Sequence, residues 1–186
     1  DPMSQSVSRL GSASQVWLHH SLEALRKSLR DKGSELYLAR GDALEVLQDF
    51  IQDGGIDRIF WNRCYDPATI ARDKQVKSAL SELEPRTFNG LLIHEPWENL
   101  KGDGTPYRVY TPFWRAAARL IDGDESCVNT VQKPRTIPGL DPEVAAGLTQ
   151  SLAIDELQLL PSLDWHVGMM EHWTPGEEAG RAQVDR

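Results

Sequence analysis

The sequence predicts an α/β fold with a doubly wound parallel sheet. Helical periods of apolar residues alternate with short β-rich runs, and the connections between them are short. Asp66-Pro67 and Thr111-Pro112 are typical helix starts. The side chain of Asp or Thr can accept hydrogen bonds from the free backbone amides of the first turn, and proline has no backbone N–H that would need a partner there. Only three strand candidates are visible, whereas doubly wound sheets commonly have about five or more. We therefore expect a first strand–helix–strand unit to precede Asp1.

The first half of this pattern begins with a helix over residues 16–32. Gly33 ends it. Its predicted core face consists of Trp17 or Leu18, Leu22, Leu25 and Leu29. A short strand is predicted over residues 35–40. A second helix follows, with Asp42 as N-cap, Glu45 near a capping-box position and Gly54-Gly55 at its end.

The second half begins with a parallel strand over Ile56–Trp61, which we expect to be buried on both faces. A third helix starts at Asp66-Pro67 and a third strand lies within residues 86–94. The fourth helix runs from Thr111-Pro112 to about residue 121. The predicted core face of the third helix is Val76, Ala79, Leu80 and Leu83. We expect the aromatic residues near the fourth helix, Tyr107, Tyr110, Phe113 and Trp114, to pack in the core.

The chain changes character after residue 122. Residues 123–172 are rich in proline and glycine and have only a weak apolar cluster at Leu157, Leu159 and Leu160. This pattern predicts a long irregular linker that packs over other structure. Thr174-Pro175-Gly176-Glu177 predicts one more helix start, with Thr174 as N-cap.

Composition restricts the function classes. The 186 residues are 40% hydrophobic and 26% charged, which is typical of a soluble globular protein. No apolar run approaches the ~18 residues of a membrane span, and no signal peptide is evident, so we expect a cytoplasmic protein. The net charge of −8 disfavours binding of a polyanion by this chain. Cys64 and Cys127 show no metal or redox spacing.

Two kinds of site find no support in the sequence. Glycine-rich phosphate loops are missing, and the five histidines form no His-x-x-x-His or His-x-x-Glu-His pattern. Adjacent His19 and His20 point about 100° apart on a helix. The sequence therefore predicts no metal site.

Polar residues follow the strand that ends at Trp61. Ligands of open α/β sheets bind outside the carboxyl ends of the strands. Trp61, Asn62, Cys64 and Asp66 are therefore the candidate binding residues. Three of them also have an ordinary explanation: Trp61 as core, Cys64 as a bystander thiol and Asp66 as an N-cap. No residue is predicted to be catalytic.

An ordered set of motifs carries a family resemblance. In chain order it comprises Trp17–Leu22, Phe60-Trp61-Asn62, Ala71-Arg72-Asp73, Phe88-Asn89-Gly90, Glu95-Pro96-Trp97-Glu98, Gly104 to Phe113, and Trp173 to Glu177. Together these stretches resemble the N-terminal α/β domain of the DNA photolyase and cryptochrome family, in particular class I cyclobutane-dimer photolyases. The resemblance implies an antenna domain over 1–122, an interdomain linker over 123–172 and the start of an FAD-binding helical domain over 173–186.

The resemblance implies that the longer parent protein is a deoxyribodipyrimidine photolyase. In this family the α/β domain holds an antenna pigment, and the helical domain holds FAD and damaged DNA. Light-excited reduced FAD sends an electron into a cyclobutane pyrimidine dimer and splits it. We expect a monomeric parent, no membrane partner, and a fragment that alone is inactive and does not bind DNA.

Two positions in the sequence bear on which class of antenna pigment the chain would bind. Folate-binding members carry an Asn-Glu pair where this chain has Ala68-Thr69, and Asp66-Pro67 is more similar to members that bind a deazaflavin or a flavin. The resemblance thus implies an antenna cleft lined by Trp61, Asn62, Cys64 and Asp66. Two alternatives stay open: a cryptochrome blue-light photoreceptor, or a non-catalytic α/β binding module.

Overall fold

The computed structural model describes residues 10–123, 134–148 and 151–184. They belong to two compact units, one of Asp1–Asp57 with Pro134–Arg186 and one of Arg58–Lys133. Neither unit follows the boundaries predicted at 122 and 172. Those boundaries describe a longer polypeptide and stay a prediction. Cys127 lies outside the described residues.

The first unit begins with helix α1, Ser12–Arg30, which confirms a helix in this region but starts four residues before the predicted range of 16–32. The residues buried on it are Val16 and His19, whereas Leu25 and Trp17 are exposed. The predicted leucine face was therefore partly wrong. The reason is tertiary: α1 contacts the 3₁₀ helix Ile154–Leu157, and that contact selects the face that is buried.

Helix α2, Ala43–Gly54, confirms the predicted start and end. Asp42 Oδ1 accepts from the amides of Leu44 at 2.9 Å and Glu45 at 3.3 Å. Gly55 follows the helix with φ of 55°, a left-handed conformation that glycine adopts without steric cost.

The strand predicted over residues 35–40 was wrong, because the structure has no strand there. The amide of Leu152 donates to Leu38 O at 2.7 Å, and the amide of Leu38 donates to the Ser151 hydroxyl at 3.0 Å. One of these two bonds uses a side chain, so they do not continue into a backbone ladder.

The segment predicted as an irregular linker contains more helix than expected. It includes α5, Pro142–Gly147, and α6, Val167–His172, with 3₁₀ turns at Ile154–Leu157 and Asp164–His166. Helix α5 packs against α2. Leu148 and Ile154 are the apolar residues buried in the described part of this segment, not the predicted leucine cluster, in which Leu160 is exposed.

Helix α7, Glu177–Val184, confirms a helix at the predicted place. The residue before it is Gly176, with φ of 106°, so Thr174 is not the N-cap. A Cβ at Gly176 would lie 2.9 Å from that of Ala24. Only glycine therefore allows the start of α7 to approach α1 this closely.

The second unit is built around a parallel β–α–β arrangement. Strand β1, Phe60–Asn62, pairs in parallel with β2, Arg86–Phe88, with Trp61 opposite Thr87. Helix α3, Pro67–Ala79, connects them, followed by a 3₁₀ turn at Ser81–Leu83. The parallel pairing was predicted correctly. The described sheet has two strands, so the doubly wound arrangement stays a prediction.

Burial on both faces of β1 was a wrong expectation. Phe60 and Phe88 lie on the same face with ring centroids 6.1 Å apart, and they are 54% and 53% exposed. The opposite face carries the side chains of Trp61 and Thr87, which contact α3. Val76 and Leu80 are buried as predicted, while Ala79 is exposed.

Helix α4, Tyr110–Gly123, starts before the predicted cap, so Thr111 lies inside its first turn. Ala117 is buried on this helix, whereas Tyr110, Phe113 and Trp114 are exposed. The expectation that these aromatic residues form a core was wrong for the structure described. Within the described ranges, no helix has both the length and the hydropathy that crossing a bilayer requires.

Candidate functional site

The carboxyl ends of β1 and β2 lie side by side, because the two strands are parallel and in register. The amide of Arg63, just after β1, donates to Phe88 O at 2.9 Å. The loops that follow both strands therefore start from the same edge of the sheet.

A buried carboxylate links these two loops. Glu95 is 3% exposed, and Arg63 Nε donates to its Oε1 at 2.7 Å. Arg63 Nη2 is also paired with that oxygen, and the Tyr65 hydroxyl donates to Oε2 at 2.8 Å. The other side of the guanidinium donates to Thr87 O at 2.7 Å. A buried charge is tolerated when it is paired and hydrogen-bonded in this way.

The pairing shifts two pKa values. The hydrogen bond to Glu95 raises the pKa of Arg63. Burial, followed by the hydrogen bond to Glu95, raises the pKa of Tyr65. Both groups thus hold their protons more tightly and remain donors to the carboxylate.

On the helical side of the sheet, Trp61 Nε1 donates to Asp73 Oδ2 at 2.9 Å. Arg72 Nη2 donates to the other oxygen of Asp73 at 2.7 Å, which raises the pKa of Arg72. Arg72 and Asp73 are adjacent on α3 and pair with each other, although adjacent side chains on a helix do not face each other. Lys77 Nζ lies 5.7 Å from the centroid of the Trp61 ring and donates to Thr87 Oγ1 at 3.0 Å.

Asn62 lies on the opposite face, which also carries Phe60 and Phe88. Its side-chain amide lies so close to Gly90 that a Cβ at residue 90 would collide with it. Asn62 is exposed. A ligand on this face would therefore contact the Asn62 amide beside two aromatic rings.

Cys64 and Asp66 lie further along the loop after β1. The Cys64 thiol is half-buried and, after Asp73, contributes to the raised pKa of Arg72. Asp66 caps α3: its Oδ1 accepts from the Thr69 amide at 3.0 Å, and its Oδ2 accepts from the Thr69 hydroxyl. The hydroxyl, followed by the amide, holds the pKa of Asp66 below its ordinary value.

The four predicted binding residues share one edge of the sheet but not one surface. Trp61 is oriented toward α3, Asn62 lies on the other face, and Asp66 is used as a helix cap. Whether they line one cleft stays a prediction.

The sequence reading missed the group formed by Arg63, Tyr65 and Glu95. A signal was present, since Arg63 follows one strand and Glu95 comes after the next. Parallel strands bring such positions to the same edge.

The arrangement suits binding more than proton transfer. Its buried charges are already paired, and a flat aromatic surface is available: Trp97 is exposed, and Arg63 Cζ lies 5.7 Å from its ring centroid. This is a parallel β–α–β unit with aromatic and polar groups at its carboxyl edge, the edge at which ligands of open α/β sheets commonly bind.

Comparison with known proteins gives the family. The family model described as DNA photolyase matches residues 1–134. The chain belongs to the DNA photolyase family.

The relatives extend over almost the whole chain. Deoxyribodipyrimidine photo-lyase of Agrobacterium fabrum is 40% identical over 184 residues, which cover 97% of this chain. The chain spans 36% of that relative, about a third of its length. Cryptochrome-1 of Arabidopsis thaliana is 36% identical over 119 residues, which cover 62% of this chain and 18% of the relative.

A solved structure has the same fold. The crystal structure of a bacterial class III photolyase from Agrobacterium tumefaciens superimposes with a TM-score of 0.82 and 38% identity. The match covers 97% of this chain and 36% of that one.

Proposed function

We propose that this chain is the antenna-side α/β portion of a deoxyribodipyrimidine photolyase. The observation that carries the proposal is the 40% identity to a protein of that name, which extends over 97% of the chain. The likeness in fold to a class III photolyase supports it. For the subclass, that likeness favours class III over the class I suggested by the motifs.

In the proposed parent, FAD excited by light splits cyclobutane pyrimidine dimers in DNA. The dimer must leave the base stack to reach the flavin. With a net charge of −8, this chain is poorly suited to hold a polyanion. FAD and DNA would therefore contact other parts of the parent, and this chain alone would neither bind FAD nor repair DNA.

The reaction can be tested with the full-length polypeptide that contains this chain. The purified flavoprotein is mixed with an oligonucleotide carrying one cyclobutane thymine dimer and illuminated with blue light. We expect loss of the dimer in the light and no loss in the dark. A flavin-containing protein that repairs neither single- nor double-stranded DNA would refute the photolyase proposal.

The sequence identity to a cryptochrome favours a photoreceptor as the alternative to a photolyase. The 36% identity to cryptochrome-1 covers 62% of the chain, so a photoreceptor parent is the second candidate. A photoreceptor predicts a long-lived light-induced change of the flavin spectrum without dimer repair.

We further propose that the carboxyl edge of β1 and β2 binds the antenna pigment, through Trp61, Asn62, Cys64 and Asp66. A deazaflavin or flavin is favoured, because Ala68-Thr69 replace the Asn-Glu pair of folate-binding members. The exposed Asn62 amide beside Phe60 and Phe88 supports a flat ligand.

Pigment content tests this cleft. Asn62→Ala and Trp61→Ala should lower the ratio of pigment to FAD in the purified parent, read from its absorption spectrum. The matched control is Arg119→Ala, which removes an exposed side chain on α4. Unchanged pigment content in both cleft variants would place the pigment elsewhere.

A further inference from the structure

A second cluster of ligand-type side chains lies in the first unit, on α1. His20 Nδ1 lies 2.8 Å from Glu23 Oε2, and His19 Nε2 lies 3.6 Å from Glu23 Oε1. One ligand atom from each of the three residues falls within 4.8 Å of the others. The Glu23 carboxylate thus binds His20 directly and lies near His19.

A fourth group comes from another element. Asp155, in the 3₁₀ helix Ile154–Leu157, places Oδ1 at 3.9 Å from His19 Nε2. Since α1 and this 3₁₀ helix pack together, the carboxylate reaches the cluster from a segment far along the chain.

The spacing of these atoms matches a metal coordination shell. Ligand atoms about 2.0–2.1 Å from a tetrahedral Zn²⁺ are roughly 3.4 Å from one another. The separations of 2.8, 3.6 and 3.9 Å lie on both sides of this value. The donors of His19, His20 and Glu23 all lie within 4.8 Å of one another, which places them within reach of one ion.

His19 itself indicates an unmet partner. It is 3% exposed, and within the described ranges its Nδ1 has no hydrogen-bond partner. Its Nε2 faces two carboxylates at distances longer than a hydrogen bond. Buried polar groups are nearly always satisfied, so the unpartnered Nδ1 makes His19 an unusual buried histidine, and Nε2 is the ring atom that faces the two carboxylates.

The sequence argument against a metal considered histidine-pair patterns and the angle between His19 and His20. It did not include Glu23, which lies four residues after His19 and three after His20. Both spacings place side chains on neighbouring positions of a helix surface. The motif is therefore His-His-x-x-Glu, completed from outside the helix.

We propose that His19, His20, Glu23 and Asp155 bind one divalent cation of the Zn²⁺ class. Two imidazoles with carboxylates favour Zn²⁺ and similar transition metals over Mg²⁺ or Ca²⁺, which prefer oxygen ligands alone. The bound ion would link α1 to the 3₁₀ helix Ile154–Leu157. It stabilises the first unit and takes no part in the proposed repair reaction.

The test measures Zn²⁺ binding to the metal-free full chain by titration calorimetry, with Co²⁺ as a spectroscopic substitute. We expect one Zn²⁺ per chain and visible absorption of Co²⁺ in a low-symmetry site. His20→Gln and Glu23→Gln should weaken binding at least about tenfold. Both side chains are partly exposed, so these variants avoid the folding risk of replacing His19.

The matched control is His172→Gln, which removes an exposed histidine from α6. This variant should bind Zn²⁺ with the same affinity as the unaltered chain. Asp155→Asn should weaken binding and reduce the rise in melting temperature that Zn²⁺ causes. The proposal is overturned if the unaltered chain binds no Zn²⁺, if Mg²⁺ competes equally, or if His172→Gln loses as much affinity as His20→Gln.

Discussion

Trp61 Nε1 donates a hydrogen bond to Asp73 Oδ2 at 2.9 Å and so joins strand β1 to helix α3. Arg72 holds the other oxygen of the same carboxylate, at 2.7 Å. The strand and the helix are therefore connected through a single side chain, that of Asp73.

Trp61→Phe keeps an aromatic ring but removes the indole donor. We expect it to lower the free energy of unfolding by about 1–2 kcal/mol, because a half-buried hydrogen bond to a carboxylate is lost. Urea denaturation measures the change. Trp114→Phe, on the exposed side of α4, should cost less than about 0.5 kcal/mol, and equal losses in the two variants would contradict the prediction.

Glu95→Gln should destabilise the second unit by roughly 2–3 kcal/mol, because Arg63 loses its charged partner in a buried position. Because the Arg63 side chain is partly exposed to solvent, the loss of stability should be smaller than for a fully buried ion pair. A double-mutant cycle with Arg63→Met measures the interaction free energy between Glu95 and Arg63. Glu82→Gln, at an exposed position, is the control and should change little. A coupling near zero would show that the two residues act independently.

Asp66 should make stability depend on pH in the acid range. Its folded-state pKa is depressed, chiefly by the Thr69 hydroxyl, so its contribution is present above the ordinary value of 3.8 and is lost as pH falls through the lower folded value. Asp66→Asn keeps an N-cap oxygen but does not titrate. Below about pH 4, the urea midpoint of the unaltered chain should therefore fall relative to that of Asp66→Asn. A difference that is constant with pH would refute this.

Two glycine-to-alanine changes should have opposite signs. Gly55 has a φ of 55°, and a Cβ there meets no atom within 4 Å, so Gly55→Ala costs about 1 kcal/mol through backbone strain alone. Gly180 lies within α7, also in open space, and Gly180→Ala should stabilise by about 0.5–1 kcal/mol. Thermal melts of the two variants give the comparison. A stabilising Gly55→Ala would show that the left-handed turn is not kept in solution.

The exposed aromatic face of the small sheet should promote self-association. Phe60 and Phe88 are each more than half exposed on one face, and the two described strands present open edges. Phe60→Lys should shift sedimentation of this chain toward monomer at a given concentration. Val184→Lys, at an exposed position on α7, is the control. A monomeric unaltered chain at all concentrations would contradict the prediction.

Sequence reasoning succeeded where the deciding contacts are local. Asp42 and Asp66 cap helices through amides within three residues, and Gly55 ends α2 through its own backbone conformation. It failed where the partner lies far along the chain. Residues 35–40 have the composition of a strand, yet the contacts at Leu38 come from Ser151 and Leu152 and form no ladder.

The sequence by itself determined the starts of α2 and α3, the end of α2, the parallel pairing and the family, because these caps, the glycine turn and the ordered motifs are read from neighbouring residues. Only the tertiary structure decided which face of α1 is buried, that Glu95 pairs with Arg63, and that Asp155 lies near His19. These depend on the packing of segments distant in sequence, and burial and charge pairing arise from that packing and not from local spacing.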